Sequence, residues 1–254
     1  MNKVGKYEYN VEPFQEDFTG HLSWAVLGNT LLKCASFHAN EYGFGAIKKD
    51  GVSYHWVLSR MVIEINEMPS SGEYFTIETW VRRIYRQFTD RCFAITGNNG
   101  NVIGYAYTIW AMINMETREA VDLEKMIHAS LFNCIETDKP CPVKEPGRIR
   151  LKELQLYRSV NTYYSDIDIN NHVNSIRYLE HIMNLFPKKS YEEKRIKRVE
   201  FAYSSECYCD EPLSFYMQQT NEDIYAIEVR KNAGKETLNG ELTCRCELTF
   251  ENYK

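Results

Sequence analysis

The sequence has no long apolar run and no excess of positive charge. No stretch approaches the roughly 18 consecutive apolar residues of a membrane-spanning helix, and the start of the chain carries no apolar segment of the kind that directs secretion. The 30 basic residues are outnumbered by 35 acidic ones, which gives a formal net charge of −5. Binding to nucleic acid or to anionic lipid depends on broad positive charge, so neither partner is expected. We expect a cytoplasmic protein with no membrane span.

Motifs for metal, disulfide and serine chemistry are also missing. The eight cysteines include no Cys-x-x-Cys pair, and a reducing compartment disfavours structural disulfides. Two pairs with a single residue between them, Cys207/Cys209 and Cys244/Cys246, would each share one face of a strand, which indicates packing more than a zinc site. We therefore expect free thiols and no metal. The chain contains no Gly-x-Ser-x-Gly, so a serine hydrolase of the α/β type is disfavoured.

The segment from residue 136 to residue 150 marks a boundary between two more regular regions. It holds three of the seven prolines, several charges and no apolar periodicity, as linkers do. The length of 254 residues also exceeds the ~100–200 typical of one domain. We predict two domains, 1–135 and 151–254, joined by a linker over 136–150.

Both halves follow one plan, in which a histidine precedes a helix. In the first half His21 precedes residues 22–42, whose apolar residues lie on nearly every side of a helix, so we expect protein to wrap this helix completely. In the second half His172 precedes residues 175–186, where apolar residues recur at three- and four-residue steps and Pro187 ends the helix.

Runs rich in β-branched and aromatic residues follow each helix and predict strands. The turn Gly-Asn-Asn-Gly at residues 97–100 separates two runs as in a hairpin, so the sheets should be antiparallel. Each half is therefore predicted to be an antiparallel sheet curled around one long helix. Two such units in one α+β chain form a tandem hotdog fold. The predicted strands are residues 54–67, 74–85, 90–96 and 102–115 in the first half, and 198–209, 213–219, 224–231 and 237–250 in the second.

The most informative stretch for chemistry is residues 165–174, Ser-Asp-Ile-Asp-Ile-Asn-Asn-His-Val-Asn. Asp and Asn before a helix have a structural explanation, because their side chains cap helices and close turns, and we favour that role for Asn171 and Asn174. His172 differs, since a helix N-terminus disfavours a protonated imidazole and leaves the ring able to accept or orient a proton near pH 7. The residues alone favour a catalytic site and a polar helix start equally.

This stretch resembles a motif of one enzyme family. Asp168-x-Asn170-x-His172-Val173-Asn174, followed by Tyr178 and a helix ending at Phe186-Pro187, is similar to the motif of acyl-acyl carrier protein thioesterases of the plant chloroplast and bacterial type. A second family element, a strand ending in Tyr-x-x-Glu-Cys, is present at residues 203–207. The family's length, tandem hotdog fold and linker also match, so the resemblance covers nearly the whole chain.

The resemblance implies hydrolysis of a fatty acyl thioester on the phosphopantetheine arm of acyl carrier protein. The first half would hold the acyl chain, and the second half would carry the catalytic groups: Asp168, Asn170, His172 and Glu206, with Cys207 beside them. A carboxylate can take a proton from water, while carboxamide and imidazole groups orient that water or stabilise the oxyanion. Backbone N–H groups around Val173 and Asn174 would complete the oxyanion site. No metal or organic cofactor is needed.

Two mechanisms are open. In one, Glu206 or Asp168 is the general base for water, and in the other Cys207 is a nucleophile activated by His172. Regular strand geometry would put Glu206 and Cys207 on opposite faces unless the strand bulges, and the alternation groups Cys207 with the apolar residues. The resemblance favours Glu206, and a buried cysteine is most often unreactive, so we choose Glu206.

A docking surface for the strongly acidic carrier protein should be basic. Six positive charges lie beside the second helix, although a solvated loop broken by Glu192 and Glu193 explains them equally well. A second candidate is Arg82-Arg83-x-x-Arg86. The six predicted carrier-binding residues are Lys188, Lys189, Lys194, Arg195, Lys197 and Arg198.

The chain departs from the family pattern at several positions. Ser175 replaces a second Asn after His-Val-Asn, His181 stands where a Trp is usual, and Ser204-Ser205 replace two arginines. His21 occupies the place of His172 in the first half without the Asp-x-Asn before it. None of these departures removes a proposed catalytic group.

Two other functions are open: a hotdog thioesterase acting on acyl-coenzyme A, and a non-catalytic module that binds acyl chains or carrier protein. The joint presence of Asp168, Asn170, His172 and Glu206 argues against the non-catalytic module. Tandem hotdogs satisfy within one chain the pairing that single hotdogs make as dimers, so both a monomer and a homodimer are compatible with the sequence.

Overall fold

The sheet of the first unit is formed by the β-branched and aromatic runs of the sequence. In the computed structural model, which describes residues 3–126, 130–232 and 240–253, the chain divides into two units, Met1–Glu145 and Pro146–Lys254. The strands of the first unit are β1 (Gly5–Asn10), β2 (Ile47–Lys49), β3 (Val52–Ile65), β4 (Tyr74–Tyr85), β5 (Phe88–Thr96) and β6 (Val102–Asn114). They pair antiparallel in the order β1-β4-β5-β6-β3, with β2 added to β3.

The long helix of the first unit, α1 (Trp24–Glu41), begins at a polar cap. The Ser23 hydroxyl accepts a hydrogen bond from the Val26 N–H. The expectation that protein wraps the helix completely is wrong, because positions 29, 33, 36, 37 and 40, which share one face of a helix, are exposed. The helix packs against β1 and β4, and its buried residues are Trp24, Leu27, Gly28, Leu31, Cys34, Ala35, His38 and Ala39.

The described residues of the second unit repeat the antiparallel plan with five strands. They are β7 (Leu156–Asn161), β8 (Lys194–Tyr203), β9 (Pro212–Asn221), β10 (Ile224–Lys231) and β11 (Glu241–Asn252). The order is β8-β11-β10-β9-β7. Residues 237–239 of the predicted strand 237–250 lie outside the described residues.

Two helices lie between β7 and β8. The predicted helix over 175–186 is shorter in the structure, where α4 spans Ser175–Met183 and buries Ile176, Tyr178, Leu179 and Ile182. After Pro187 the chain forms a second short helix, α5 (Lys188–Glu193). Short helices also follow β6 in the first unit, α2 (Leu123–Met126) and α3 (Ser130–Asn133). Within the described part of the chain, no helix is both long and apolar enough to cross a bilayer.

The segment 136–150, predicted as a linker, is held by contacts within each unit. The Glu136 N–H donates to the Val81 carbonyl at 2.8 Å, and Val143 is buried in the apolar cluster of Trp80 and Tyr107. In the second unit, Ile149 is buried with Ala202 and Ala226. The proline-rich segment is therefore divided between the two units after Glu145.

The core of the first unit contains a buried arginine, Arg91, that pairs with a histidine and a threonine. The Arg91 guanidinium donates to His38 Nδ1 and to Thr79 Oγ1, both at 3.1 Å, and no described carboxylate lies within ion-pair distance of it. Since arginine can only donate, His38 Nδ1 must accept, so Nε2 carries the proton and donates to the Lys3 carbonyl at 3.2 Å. Burial, and then the charge of Arg91, lowers the pKa of His38 to about 4.

This pair predicts an acid-sensitive stability. Because the His38 pKa is lower in the folded chain than the ordinary 6.5, unfolded chains bind more protons between about pH 6.5 and 4. The free energy of unfolding should therefore fall as the pH falls through this window, by as much as about 3 kcal/mol from this group. His38→Gln, which offers the same acceptor and donor without titrating, should remove that part of the slope in urea titrations at pH 7, 5.5 and 4. If the free energy of unfolding fell equally with pH in the wild type and in His38→Gln, the lowered pKa of His38 would be contradicted.

Candidate active site

The residues between β7 and α4 fold into a turn held by its own backbone, here called the second-unit turn (residues 163–174). It opens with one 3-10 turn, Tyr164–Asp166. The Asp168 N–H donates to the His172 carbonyl, and the Asn171 N–H donates to the Asp168 carbonyl, both at 2.9 Å. Asn171 lies at φ 66°, a left-handed conformation that Asn adopts more readily than most residues. These bonds fix the main chain on both sides of His172.

Several predicted site residues have structural duties in this turn. Asp168 Oδ1 accepts the Asn170 N–H at 2.8 Å, which closes the turn from within. Asn174 Oδ1 accepts the Ile176 N–H at 2.8 Å, so Asn174 is the N-cap of α4. The side chain of Asn170 is exposed, which leaves its carboxamide open to a ligand.

The predicted oxyanion donors Val173 and Asn174 are engaged elsewhere. The Val173 N–H donates to the Cys207 carbonyl at 2.8 Å, and the Asn174 N–H donates to the Asp166 carbonyl at 2.9 Å. A donor already paired with a carbonyl does not stabilise a developing oxyanion, so the assignment of these two N–H groups is corrected. Their part in the site is to hold the turn in place.

His172 and Glu206 are brought together at the start of α4. The His172 Nε2 lies 3.2 Å from Glu206 Oε2, and their side chains are 19% and 34% exposed. The ring of Tyr208 packs edge-to-face on the imidazole at 5.2 Å between centroids, and its hydroxyl donates to Glu206 Oε2 at 3.4 Å. The result is a partly exposed imidazole–carboxylate pair with an aromatic neighbour, able to exchange protons with a ligand.

Glu206 reaches His172 because β8 stops early. The strand predicted over 198–209 ends at Tyr203, since the Ser204 and Ser205 N–H groups both donate to the Thr243 carbonyl, at 2.8 and 3.3 Å. Two successive donors on one acceptor break the two-residue alternation, as in a bulge. The strand parity that separated Glu206 from Cys207 therefore does not apply. We call residues 204–211 the Glu206 segment.

Cys207 is turned into the interior. Its side chain is fully buried, and Sγ donates to the Tyr208 carbonyl at 3.7 Å. Burial, and then the neighbouring Glu211 carboxylate, raises the pKa of the thiol to about 12. A thiolate nucleophile at neutral pH needs the opposite shift.

The first unit contains a second copy of the turn, the first-unit turn (residues 12–23). The Asp17 N–H donates to the His21 carbonyl at 2.9 Å, and Asp17 Oδ1 accepts the Thr19 N–H at 2.8 Å. Gly20, at φ 78°, takes the place of Asn171, and Ser23 caps α1 as Asn174 caps α4. The two turns therefore share the aspartate, the histidine and the helix cap, whereas Thr19 and Gly20 stand in place of Asn170 and Asn171.

The two copies differ in what faces the histidine. The Leu22 N–H donates to the Pro69 carbonyl at 2.8 Å, matching the bond from Val173 to Cys207. The residue before Cys207 is Glu206, whereas the residue before Pro69 is Met68. His21 Nδ1 lies 3.0 Å from the Thr19 carbonyl, within its own turn. Among the residues that the structure describes, no carboxylate lies within ion-pair distance of His21, so the first unit keeps the turn without a counterpart of the His172–Glu206 pair.

The six predicted carrier-binding residues each have a carboxylate partner. Lys188 and Lys194 pair with Glu192 and Asp223. The other four pairs are Lys189–Glu193 at 3.4 Å, Arg195–Glu251 at 2.7 Å, Lys197–Glu251 at 3.9 Å and Arg198–Glu200 at 2.9 Å. Lys188 and Lys189 remain 64% and 77% exposed. In the second candidate patch, Arg83 pairs with Asp90 at 2.5 Å.

The sequence did not reveal three neighbours of the site. Tyr208 lies against both His172 and Glu206, and the Lys231 ammonium donates to the Glu206 carbonyl at 2.6 Å. His181, in place of the usual Trp, pairs with the buried Asp166 at 2.9 Å behind the turn. Tyr208 is two residues from Glu206 and could have been found from that proximity in the sequence. Lys231 is 25 residues away and could not.

Comparison with known proteins identifies the family and the fold of this chain. Family models described as the acyl-ACP thioesterase N-terminal and C-terminal domains match residues 2–131 and 151–252. The crystal structure of an acyl-ACP thioesterase from Bacteroides thetaiotaomicron is 45% identical, with a TM-score of 0.89 and 98% of each chain covered. The 12:0-ACP thioesterase of Umbellularia californica shares the fold at 16% identity, with a TM-score of 0.82 and coverage of 100% of this chain and 99% of that one. The predicted tandem hotdog is confirmed.

A curated plant relative extends the comparison. The chloroplastic palmitoyl-acyl carrier protein thioesterase of Cuphea hookeriana is 26% identical over 220 residues, which cover 81% of this chain and 48% of that protein. The chain spans about half the length of the first curated relatives it matches.

Proposed function

Because the chain belongs to the acyl-ACP thioesterase family, we propose that it hydrolyses the thioester between a fatty acyl chain and the phosphopantetheine arm of acyl carrier protein. The products are a free fatty acid and the carrier thiol. The observation that supports this most directly is the 3.2 Å contact between His172 and Glu206 at the start of α4. The 45% identical neighbour is itself named an acyl-ACP thioesterase.

In the proposed reaction Glu206 is the general base. It takes a proton from water as the water oxygen bonds to the thioester carbonyl carbon, and the resulting tetrahedral oxyanion then expels sulfur. The C–S bond breaks and the proton passes to the leaving thiolate. His172, at 3.2 Å, holds the carboxylate and serves the proton transfer, while the exposed Asn170 carboxamide supplies a donor to the oxyanion.

Cys207 has no direct role in this scheme. Full burial and a raised pKa of about 12 disfavour a covalent acyl-enzyme at Cys207. We assign the chemistry to the second unit and acyl-chain binding to the first, since no described carboxylate lies within ion-pair distance of His21. The predicted cytoplasmic location stays a prediction; the names of the plant relatives include the word chloroplastic.

An assay of purified protein tests the function. We expect release of free fatty acid from acyl carrier thioesters of graded length, and faster turnover on these than on the same acyl groups carried by coenzyme A. Glu206→Gln keeps the size and removes the base, so it should lower kcat by about 10²–10⁴-fold, whereas Cys207→Ala should stay near the wild type. Preference for coenzyme A would indicate the alternative thioesterase. Tight carrier binding without any hydrolysis would indicate a non-catalytic module.

The role of Asp168 can be separated from that of Glu206. The carboxylate accepts the Asn170 N–H, a duty that an amide oxygen can also perform. If Asp168 serves chiefly the turn, Asp168→Asn should keep kcat within about tenfold, while Asp168→Ala loses the bond and costs about 1 kcal/mol of stability. Steady-state kinetics and urea unfolding of both variants measure this. A loss for Asp168→Asn as large as that for Glu206→Gln would make Asp168 a base.

We propose that carrier docking uses Lys188 and Lys189, the two most exposed of the six basic residues. The side chains of the other four are at most 33% exposed, so less of their charge is available to an acidic partner. Docking through exposed charges affects association and weakens with salt.

Charge reversal tests this surface. Lys188→Glu/Lys189→Glu should raise KM for acyl carrier thioesters by about tenfold and leave kcat/KM for acyl-coenzyme A almost unchanged. Lys48→Glu/Lys49→Glu, on an exposed lysine pair of β2 in the first unit, is the matched control. If both double variants behave alike, docking does not depend on α5.

A further inference from the structure

Lys231 is a buried cation placed directly behind the proposed base. It is the last residue of β10 and is only 9% exposed. Its ammonium donates to the main-chain carbonyl of Glu206 at 2.6 Å and lies 5.7 Å from the centre of the Tyr208 ring. It also pairs with Glu241 at 3.2 Å, whose side chain is 60% exposed. Burying an ammonium is costly, so these contacts must be strong enough to hold it there.

The Glu206 segment needs such a contact because it is not part of a strand. After Tyr203 the chain leaves the ladder of β8, so regular sheet pairing no longer fixes where the Glu206 side chain points. One hydrogen bond, from Val173 to the Cys207 carbonyl, ties the segment to the second-unit turn. Other hydrogen bonds hold the residues on either side of Glu206: the Ser204 and Ser205 N–H groups donate to the Thr243 carbonyl, the Thr162 hydroxyl donates to the Tyr208 carbonyl at 2.8 Å, and Glu211 accepts the Tyr208 N–H at 2.8 Å. The Lys231 ammonium bonds the carbonyl of Glu206 itself.

The first unit shows which of these restraints belong to the fold alone. There the Leu22 to Pro69 bond is present, and Glu73 accepts the Ser70 N–H at 2.8 Å, as Glu211 accepts that of Tyr208. The second strand after Glu73, β5, which is the counterpart of β10, contains no lysine. The copy with Met68 folds without a buried ammonium at this place, whereas the copy with Glu206 has one.

We propose that Lys231 is a positioning residue, which holds the Glu206 segment so that the carboxylate stays within reach of His172. The proposal rests on the proposed function of the same site. The ammonium fixes the Glu206 main chain directly, and it fixes the Tyr208 ring, which packs on His172 and donates to the carboxylate. Lys231 touches no reacting atom.

Kinetics of three variants test the proposal. Lys231→Met keeps the length of the side chain without the charge and should lower kcat by about 100-fold, with KM little changed, because a displacement near 1 Å is enough for such a loss. Lys231→Arg should recover most of that loss. Lys139→Met is the matched control, since Lys139 pairs with Glu78 at 3.0 Å and lies 5.3 Å from the Trp80 ring in the first unit. It should retain wild-type kcat.

A double variant separates positioning from general stability. If Lys231 acts through Glu206, Lys231→Met should cause no further loss of kcat in the Glu206→Gln protein. Additive losses would mean that the lysine serves only the fold and would overturn the proposal. Glu241→Gln should retain kcat, because the exposed ion pair is not the contact that positions Glu206.

A crystal structure of Lys231→Met decides the proposal without any activity. We expect the distance from Glu206 Oε2 to His172 Nε2 to exceed hydrogen-bonding range in Lys231→Met and to remain near 3.2 Å in Lys231→Arg. An unchanged distance in Lys231→Met would overturn the positioning role. Absence of thioester hydrolysis in the wild type would instead count against the proposed function and leave this structural comparison valid.

Discussion

One backbone hydrogen bond joins the two chain segments that form the site. The Val173 N–H donates to the Cys207 carbonyl, so the residues that precede them, His172 and Glu206, face each other. This main-chain bond sets the separation of the two Cα atoms, and it thereby brings the two side chains within contact distance. The same bond between Leu22 and Pro69 in the first unit shows that it belongs to the architecture of the turn, independently of any chemistry.

The duplicated turn separates scaffold from chemistry within a single chain. Asp17 and Asp168 make the same bond to an N–H two residues later, and Ser23 and Asn174 both cap the following helix. The need to form the turn and to cap the helix is therefore enough to explain why these residues are present. What the second copy adds is Asn170, Glu206, Tyr208 and Lys231. The motif in the second unit contains residues needed for folding as well as residues proposed for catalysis. Comparison with the first-unit turn distinguishes the two groups.

Strand periodicity is a local signal, and it was enough to predict the antiparallel sheets. The pairing of His172 with Glu206 came from the family resemblance, because the residues alone left a catalytic site and a polar helix start equally open. Sequence reasoning could not predict where β8 ends, since that depends on the Thr243 carbonyl in another strand receiving two donors. The oxyanion assignment to Val173 and Asn174 failed for the same reason, as both acceptors are fixed by tertiary structure. Lys231 is 25 residues from Glu206 in the chain, and no sequence pattern connects them.

The methionine at position 68 has a consequence for how this chain can change over time. Met68 holds the position that Glu206 holds in the second unit, and a thioether does not act as a base near neutral pH, so the first copy has no ionisation state to maintain there. Replacing Thr19 or Met68 by residues that keep the first-unit turn folded should therefore leave the proton transfer assigned to Glu206 unaffected.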